Sequence, residues 1–380
     1  MKYIYLDYAA ATPMDSKVIT AMEPYFSERF HNPSAIYLAA KEVNHDLEAA
    51  RTAVAKILGS KPAEIIFTAG ATEANNLAIQ GVMRTYPDGE VLVSAIEHES
   101  VLAPAGLFNN KKVPVDSKGR LKLDELEKMI TPKTVLVSVG LVNNEIGTIQ
   151  PLADIRKLLN KLSNLRGPKA MPLYLHTDAA QAPCFFDLHV SRLGPDLLTL
   201  NGGKIYGPKQ SGTLYVRAGL KLQPLILGGG QESGLRSGTQ NVAGAIGLAT
   251  ALALANQKKD FEAKRVMALR QTFVSLLKKA FSDAAINGSA KHHAPHILSA
   301  TFPGADNERL IMELDEKDIQ AASGSACSAS SDHPSHVLSA IGLSDDEARS
   351  TLRFSFGRQT TEDDIKRTVS TLRELLKTKQ

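Results

Sequence analysis

The 380-residue chain contains no tryptophan and two cysteines, and aromatic residues make up 6% of it. Because Cys184 and Cys327 stand far apart in different contexts, the sequence predicts neither a disulfide scaffold nor a metal knuckle. No apolar run approaches the roughly 18 residues that a membrane helix needs. The first residues also lack the apolar stretch of a signal peptide. We therefore expect a cytoplasmic protein that does not bind membranes.

The chain also lacks blocks of like charge. Its 44 basic and 40 acidic residues give a formal charge of +4, and the basic residues are spread along the sequence. A dense phosphate-binding surface needs clustered basic residues, so direct nucleic-acid binding is not indicated. Apolar residues make up 43% of the chain, as in ordinary globular proteins. At this length a chain usually divides into two domains.

Short apolar runs alternate with helical stretches along the chain. The runs predict strands at 64–67, 90–95, 133–142, 173–178, 196–200 and 212–216. Because they are apolar throughout, we expect an α/β fold with a mostly parallel, seven-stranded-type sheet covered by helices. We assign residues 15–250 to a large domain, and residues 1–14 plus 251–380 to a smaller α+β domain. Residues 243–281 predict one long helix or two joined ones, and an amphipathic helix is expected from Glu362 to about Lys377.

Polar groups follow three of the predicted strands, where ligands of such sheets collect. After the first strand, a Gly-Ala-Thr turn leads into a helix near Glu73, whose free amides and the Thr72 hydroxyl suit a phosphate. Asp178 ends a later strand, where a carboxylate needs a cationic partner. Lys204 follows the next strand among glycines. Singly, each has a plainer explanation as a helix cap or a surface turn. In this order they are typical of pyridoxal 5'-phosphate (PLP) enzymes of the aminotransferase fold type.

At this point the chain resembles the cysteine desulfurases of the class V aminotransferase group over nearly its whole length. The most specific segments are FTAGATEANNLAI, IEHESV, VNNEIG, HTDAAQ, KIYGPK, GGGQESGLRSGTQN, SGSACSAS and LRFSFGR. The resemblance implies PLP as the cofactor, L-cysteine as the substrate, and a homodimer. It also implies a sulfur-acceptor protein, either an iron-sulfur scaffold or a tRNA-thiolation protein.

The resemblance further implies individual residue roles. The residues that would bind the cofactor are Ala71, Thr72, His98, Asn144, Asp178, Gln181, Asn201, Lys204 and Thr239. Lys204 would hold the cofactor covalently, Asp178 would pair with its pyridine nitrogen, and His98 would stack on its ring. Ala71 and Thr72 would bind the phosphate, and Asn144 and Gln181 the ring hydroxyl. Thr239 would reach the cofactor of the neighbouring subunit, and Arg353, with Asn144, would bind the substrate.

Cys327 lies in a run of small and polar residues, 321–333, that contains no large apolar side chain. Such a loop cannot anchor itself by burial, so we expect it to be mobile and its thiol to be accessible to reactants. The resemblance implies that Cys327, with Lys204 and His98, is catalytic and receives the sulfur as a persulfide. Cys184 has apolar neighbours, and we expect it to be a small buried hydrophobe.

The lysine motif departs from the family pattern, because Asn201-Gly202-Gly203 stands where Ser-Gly-His is usual before the lysine. Asn201 can still donate a hydrogen bond to a phosphate, whereas Gly203 has no side chain. Two alternatives stay open: another PLP activity, such as selenocysteine lyase, and a non-catalytic scaffold in iron-sulfur assembly. We predict no metal site and interpret the neighbouring His292, His293 and His296 as ordinary surface and strand residues.

Overall fold

The computed structural model of the chain describes residues 3–167, 170–324 and 334–377, the side chain of the last residue excepted. The strands in these ranges are β1 (Ile4–Tyr5), β2 (Ile65–Thr68), β3 (Glu90–Ser94), β4 (Asn110–Val113), β5 (Thr134–Ser138), β6 (Tyr174–Asp178), β7 (Leu197–Asn201), β8 (Gly212–Val216), β9 (Ala285–Ile286), β10 (Ile297–Thr301), β11 (Ile319–Gln320) and β12 (Thr351–Ser355). The α-helices are α1 (Ser16–Met22), α2 (Pro24–Ser27), α3 (Leu38–Leu58), α4 (Ala71–Thr85), α5 (Glu99–Ala105), α6 (Leu123–Met129), α7 (Leu152–Leu165), α8 (Val190–Leu193), α9 (Val242–Ala280), α10 (Asn307–Asp315), α11 (His336–Ala340), α12 (Asp345–Arg349) and α13 (Glu362–Lys377). None of these helices combines the length and apolar character needed to cross a bilayer.

The largest sheet has seven strands in the order β2-β8-β7-β6-β5-β3-β4. Strands β7, β6, β5, β3 and β4 run parallel, and β8 is antiparallel to both of its neighbours. The predicted mostly parallel α/β sheet is therefore confirmed, and each of the six predicted strands is present. Strand β4 was missed because its sequence, NKKV, is polar and largely exposed at the edge of the sheet. An apolar pattern reveals buried strands and not such an edge.

Helices cover both faces of this sheet because its side chains alternate between two apolar cores. In β2, Ile65 and Phe67 belong to one core and Ile66 to the other. The first core also takes residues from α3, α7 and α9, and the second takes residues from α4 and α5. The strand ends are thereby held rigidly between two helical layers.

A third apolar core joins the two ends of the chain. Strands β12, β10 and β9 form an antiparallel sheet, and β1 pairs with β11. Aromatic residues Phe273, Phe354 and Phe356 pack within this core. Helix α9 is a single helix of 39 residues that contributes to the first core and to this one. The predicted domain boundaries stay a prediction, since α9 continues through residue 250 without a break; the predicted closing helix is confirmed as α13.

A buried ion pair links α3 to the segment that precedes α9. Both guanidinium Nη atoms of Arg51 contact the Glu232 carboxylate, at 2.7 and 2.8 Å, and their side chains are 9% and 2% exposed. The same carboxylate accepts a hydrogen bond from the Phe67 amide at 2.8 Å, and Arg51 donates to the carbonyl of Ile65 at 2.7 Å. The pair therefore fixes β2, the strand that leads into the predicted phosphate turn.

Replacing Glu232 with glutamine should destabilise the protein, because the buried Arg51 guanidinium is then left with only the half-exposed Glu48 carboxylate, 3.1 Å from its Nε, as a counter-charge. We expect Glu232→Gln to lower the free energy of unfolding by about 3–5 kcal/mol, measured by urea denaturation. The control is Glu125→Gln, which removes a surface pair with Lys128 and should change little. Equal stabilities for the two variants would show that the buried pair does not hold β2 in place.

Candidate active site

A cavity of about 340 Å³ lies at the carboxyl ends of β5, β6 and β7, the edge at which the sequence predicts ligands. Of the predicted site residues, those that line it are Ala71, Thr72, His98, Asn144, Asp178, Gln181, Asn201, Lys204 and Arg353. Thr239 lines a different cavity of about 190 Å³, together with Thr68 and Gly212. Cys327 lies outside the described residues. The structure thus brings together the predicted residues from six separate segments.

The predicted phosphate turn lies at the start of α4. The helix begins at Ala71, two residues before the predicted start, and Gly70 precedes it with a φ of 130° that favours glycine. The first amides of a helix have no carbonyl partner within it, so those of Ala71 and Thr72 can donate to an anion. A Cβ atom on Gly212 of β8 would lie 2.6 Å from Gly70, so glycine is needed there for β8 to pack against the turn.

A hydrogen-bond network connects the carboxyl group of Asp178 to the imidazole of His98. Asn75 donates through Nδ2 to Asp178 Oδ2 at 2.7 Å and to Ser100 Oγ at 2.8 Å. Ser100 contacts His98 Nδ1 through its hydroxyl, at 2.9 Å, and through its backbone N–H, at 3.0 Å. Because a backbone N–H can only donate, Nδ1 accepts, and His98 carries its proton on Nε2. The other Asp178 oxygen accepts from the amide of Ala180 at 2.9 Å.

Two buried titratable groups lie beside Asp178. Burial raises the pKa of Glu97 to about 8, the amide of Gly140 opposes the rise by donating to Oε1 at 2.8 Å, and nearby Asp178 adds to it. Burial lowers the pKa of His176 to about 4. Its ring nitrogens contact the Ser138 hydroxyl at 2.8 Å and the Thr199 hydroxyl at 3.2 Å. Near neutral pH both Glu97 and His176 are therefore mainly uncharged.

The N-terminal segment closes one side of the cavity around Lys204. Lys204 Nζ donates to the carbonyl of Ala10, and Gln181 Nε2 donates to the carbonyl of Ala9 at 2.9 Å. Asn201 Oδ1 accepts from the amide of Gly203 at 3.0 Å, which leaves the Asn201 amide nitrogen as the donor group of that side chain. The cavity wall thus presents an amine and amide donors beside each other.

Arg353 of β12 is buried, with its guanidinium at the cavity wall. Nη2 donates to Asp7 Oδ1 at 2.6 Å, and Nη1 donates to the carbonyl of Asn144 at 3.1 Å. Among the described residues, Nε has no hydrogen-bond partner. Two contacts on different nitrogens hold the planar group in one orientation. That orientation leaves Arg353 able to bind a carboxylate.

Known proteins resemble this chain over nearly its whole length. The sequence profile of the aminotransferase class V family matches residues 4–368. Cysteine desulfurase IscS of Dictyoglomus turgidum is 39% identical over 380 residues, covering 98% of this chain and 94% of its own length. Human cysteine desulfurase is 40% identical over 379 residues, covering 97% of this chain and 80% of its own length. The chain belongs to the cysteine desulfurase family of class V aminotransferases.

Solved structures of similar sequence have the same fold. A NifS-like protein superposes with a TM-score of 0.91 at 34% identity, covering 99% of this chain and 100% of its own. A structure described as SspA in complex with cysteine superposes with a TM-score of 0.81 at 36% identity. The match covers 93% of this chain and 98% of the SspA chain. Enzymes of this family depend on PLP. The donor set of the cavity fits that cofactor, since it offers helix amides for a phosphate, a carboxyl group for a ring nitrogen and a lysine for an aldehyde.

The sequence interpretation missed several residues of the site. Asn75, Glu97 and Ser100 line or support the cavity and stand inside two of the quoted segments, yet no role was assigned to them. Asp7 was missed because its partner Arg353 is 346 residues away in the sequence. Only Asp7, a carboxylate between Leu6 and Tyr8, carried a signal in its apolar neighbours. The expectation that Cys184 is buried is confirmed.

The raised pKa of Glu97 predicts a dependence of stability on pH. The folded state holds this proton up to about pH 8, whereas an ordinary glutamate releases it near 4.5. The free energy of unfolding should therefore fall as pH rises through this window, by up to about 1.4 kcal/mol per pH unit, and level off above it. Glu97→Gln keeps an oxygen for the Gly140 amide and should remove this fall.

The measurement is urea denaturation of the cofactor-free protein at several values between about pH 6 and about pH 9. The difference between wild type and Glu97→Gln isolates the Glu97 contribution, since all other groups titrate in both proteins. The variant should gain in relative stability as pH rises. A difference that is independent of pH would mean that Glu97 is already ionised below this range.

Proposed function

We propose that this protein is a PLP-dependent cysteine desulfurase that converts L-cysteine to L-alanine and leaves the sulfur as a persulfide on Cys327. The observation that carries the proposal is a single cavity that joins a helix start, the Asp178 carboxyl group, Lys204 and Arg353. Relatives named cysteine desulfurase that cover nearly the whole chain support it. So does the similar solved structure described as a complex with cysteine.

The residues around the cavity suit separate parts of the cofactor. The amides of Ala71 and Thr72 would hold the phosphate, and Asp178 would face the pyridine nitrogen. His98 would stack on the ring with its Nδ1 held by Ser100. Lys204 would hold the cofactor covalently. When bound, PLP supplies an electron sink for the pair that is released when the Cα–H bond of the substrate breaks.

The substrate is oriented by its carboxylate. Arg353 would donate hydrogen bonds to that carboxylate in the plane of its guanidinium, which Asp7 and the Asn144 carbonyl already hold in place. This contact would point the α-hydrogen of cysteine toward Lys204, whose amine would take the proton at Nζ. Asn144 would contribute a side-chain contact to the substrate. Asn201 would donate to the phosphate of the cofactor, and Gln181 would donate to its ring hydroxyl.

The ends of the segment that carries Cys327 are attached close to the cavity. Ala322 exchanges two backbone hydrogen bonds with Arg353, at 2.6 and 3.1 Å. On the other side, Ser335 donates to Glu145 Oε2 at 2.5 Å. Because Cys327 follows Ala322 by five residues, 327 − 322, the chain allows it to lie up to roughly 16–18 Å from that anchor. This reach supports transfer of sulfur from the cavity to an acceptor outside it.

The sulfur transfer conserves atoms and electrons. The Cys327 thiolate attacks the sulfur of L-cysteine, an S–S bond forms, and the C–S bond of the substrate breaks. The electron pair of that bond stays with the carbon skeleton, which takes up protons to become L-alanine. Cysteine and an enzyme thiol thus become alanine and an enzyme persulfide. A sulfur-acceptor protein of iron-sulfur assembly or tRNA thiolation would take the sulfur next.

We also propose a homodimer in which Thr239 reaches the cofactor of the neighbouring subunit. Within its own subunit Thr239 lines the smaller cavity and not the one that holds Lys204. Large apolar side chains exposed on the surface, which a second subunit could cover, are Phe26, Phe30, Ile36, Tyr37, Leu38, Ile226 and Leu227. Exposed apolar groups of this size favour an interface. The cytoplasmic location and the two-domain division stay predictions from the sequence.

The first test locates the covalent attachment. Borohydride reduction of the PLP-loaded protein, followed by peptide mapping, should find the cofactor on Lys204, and Lys204→Ala should lose it. The control is Lys209→Ala, which removes a neighbouring amine that donates to the carbonyl of Thr12 at 2.8 Å and should keep the attachment. Finding the cofactor on Lys209 would overturn the assignment.

The second test locates the persulfide. After a brief pulse of L-cysteine, mass spectrometry should find one added sulfur on Cys327, and Cys327→Ala should form neither persulfide nor alanine while it keeps the bound cofactor. Cys184→Ala should turn over nearly as wild type, because burial raises the pKa of Cys184 to about 12 and leaves little thiolate. Added sulfur on Cys184, or undiminished turnover in Cys327→Ala, would contradict the proposal.

The same assay separates the alternatives. Alanine formed from L-selenocysteine but not from L-cysteine would favour a selenocysteine lyase. No alanine from either substrate, with PLP bound, would favour a non-catalytic scaffold.

A further inference from the structure

His296 is a buried histidine directly behind the cavity wall. It precedes β10, is 3% exposed, and stacks on Phe185 with ring centroids 4.3 Å apart and an interplanar angle of 16°. Its Nε2 lies 3.2 Å from Oε1 of Gln181, whose side chain lines the cavity. The sequence predicts an ordinary surface or strand residue at His296. The structure gives it a contact with a residue of the site.

The hydrogen bonds of Gln181 determine which His296 nitrogen carries the proton. Gln181 Nε2 donates to the backbone carbonyl of Ala9, and because a carbonyl can only accept, this contact identifies which amide atom is the nitrogen. Oε1 therefore faces His296. An amide oxygen also only accepts, so His296 Nε2 must carry the proton. The amide nitrogen of Gln181 has a second hydrogen, which is left to donate into the cavity.

The surroundings of His296 keep its ring neutral. Its Nδ1 is buried and has no hydrogen-bond partner among the described residues, so a proton there would lack an acceptor. Burial, with a smaller contribution from the charge of Arg353, lowers the pKa of His296 to about 3. A neutral ring has one N–H group, and the contact with Gln181 uses it.

We propose that His296 is a positioning residue, a neutral imidazole that holds the Gln181 carbonyl oxygen away from the cavity so that Gln181 offers an N–H to the ring hydroxyl of the cofactor. This inference deepens the proposed function and rests on it for the identity of the ligand. An N–H donor stabilises the deprotonated form of a ring hydroxyl, whereas an amide oxygen in its place would repel it. Loss of His296 should therefore make that group harder to deprotonate.

The first experiment needs no cofactor. Histidine-labelled apoprotein should show His296 by ¹⁵N NMR as the neutral form protonated on Nε2 throughout about pH 5 to about pH 8. A proton on Nδ1, or a doubly protonated ring near pH 6, would overturn the inference. Because this result does not depend on PLP, it can fail while the proposed function holds, and it can hold while the proposed function fails.

The second experiment uses the PLP-loaded protein and follows the pH midpoint of its visible absorbance change. We expect His296→Leu to shift the midpoint upward by about half a pH unit or more. Phe185→Leu removes the stacking and keeps the donor, so its midpoint should stay within about a tenth of a unit of wild type. His296→Gln can still donate and should restore the wild-type midpoint, which separates positioning from packing.

Three results would contradict the proposal: an unchanged midpoint in His296→Leu, an equal shift in Phe185→Leu, or a His296→Gln midpoint as displaced as that of His296→Leu. If His296→Leu does not fold, the ¹⁵N NMR result decides: a neutral ring protonated on Nε2 supports the proposal, and a proton on Nδ1 overturns it.

Discussion

The hydrogen bond from Asn75 Nδ2 to Asp178 Oδ2, 2.7 Å long, is the contact on which the geometry of the site depends. Asn75 follows Ala71 by about one helical turn, so both residues face the same way from α4. The helix therefore places its first amides at one end of the cavity and its asparagine on the strand-end carboxyl group at the other. A shift of α4 would move the phosphate site and the Asp178 contact together. The apolar packing of α4 against β7 and β8 resists such a shift.

Burial decides which groups near this contact carry charge. Glu97 has a pKa raised to about 8, and His176 and His296 have pKa values lowered to about 4 and about 3. Near neutral pH all three are mainly uncharged, although Glu97 lines the cavity, His296 contacts the lining residue Gln181, and His176 lies two residues before Asp178. They can donate or accept hydrogen bonds without adding a charge that competes for the ligand. The electrostatic selectivity of the cavity then rests on Asp178, Lys204 and Arg353, together with the helix amides.

The sequence predicted the sheet because its central strands are buried on both faces and are apolar throughout. It also placed Asp178 and Lys204 correctly at strand ends, since those positions follow directly from the strands. Individual roles came from the family resemblance. The supporting contacts could not be predicted, because the bond from Asn75 to Asp178 joins residues 103 apart and that from His296 to Gln181 joins residues 115 apart. Local periodicity carries no information about which side chains meet across such distances.

The lysine motif departs from the family pattern without changing the course of the chain before Lys204. A Cβ on Gly202 would overlap the Ser211 hydroxyl and lie 2.9 Å from the carbonyl of Pro208, so the turn before Lys204 needs glycine there. A Cβ on Gly203 would find its nearest neighbours at 3.5 and 3.7 Å, which are ordinary van der Waals distances. Packing therefore does not demand glycine at 203. The direction of Lys204 is set by Gly202 and by the Asn201 bond to the backbone, and the missing side chain at 203 affects ligand contacts and not the course of the chain.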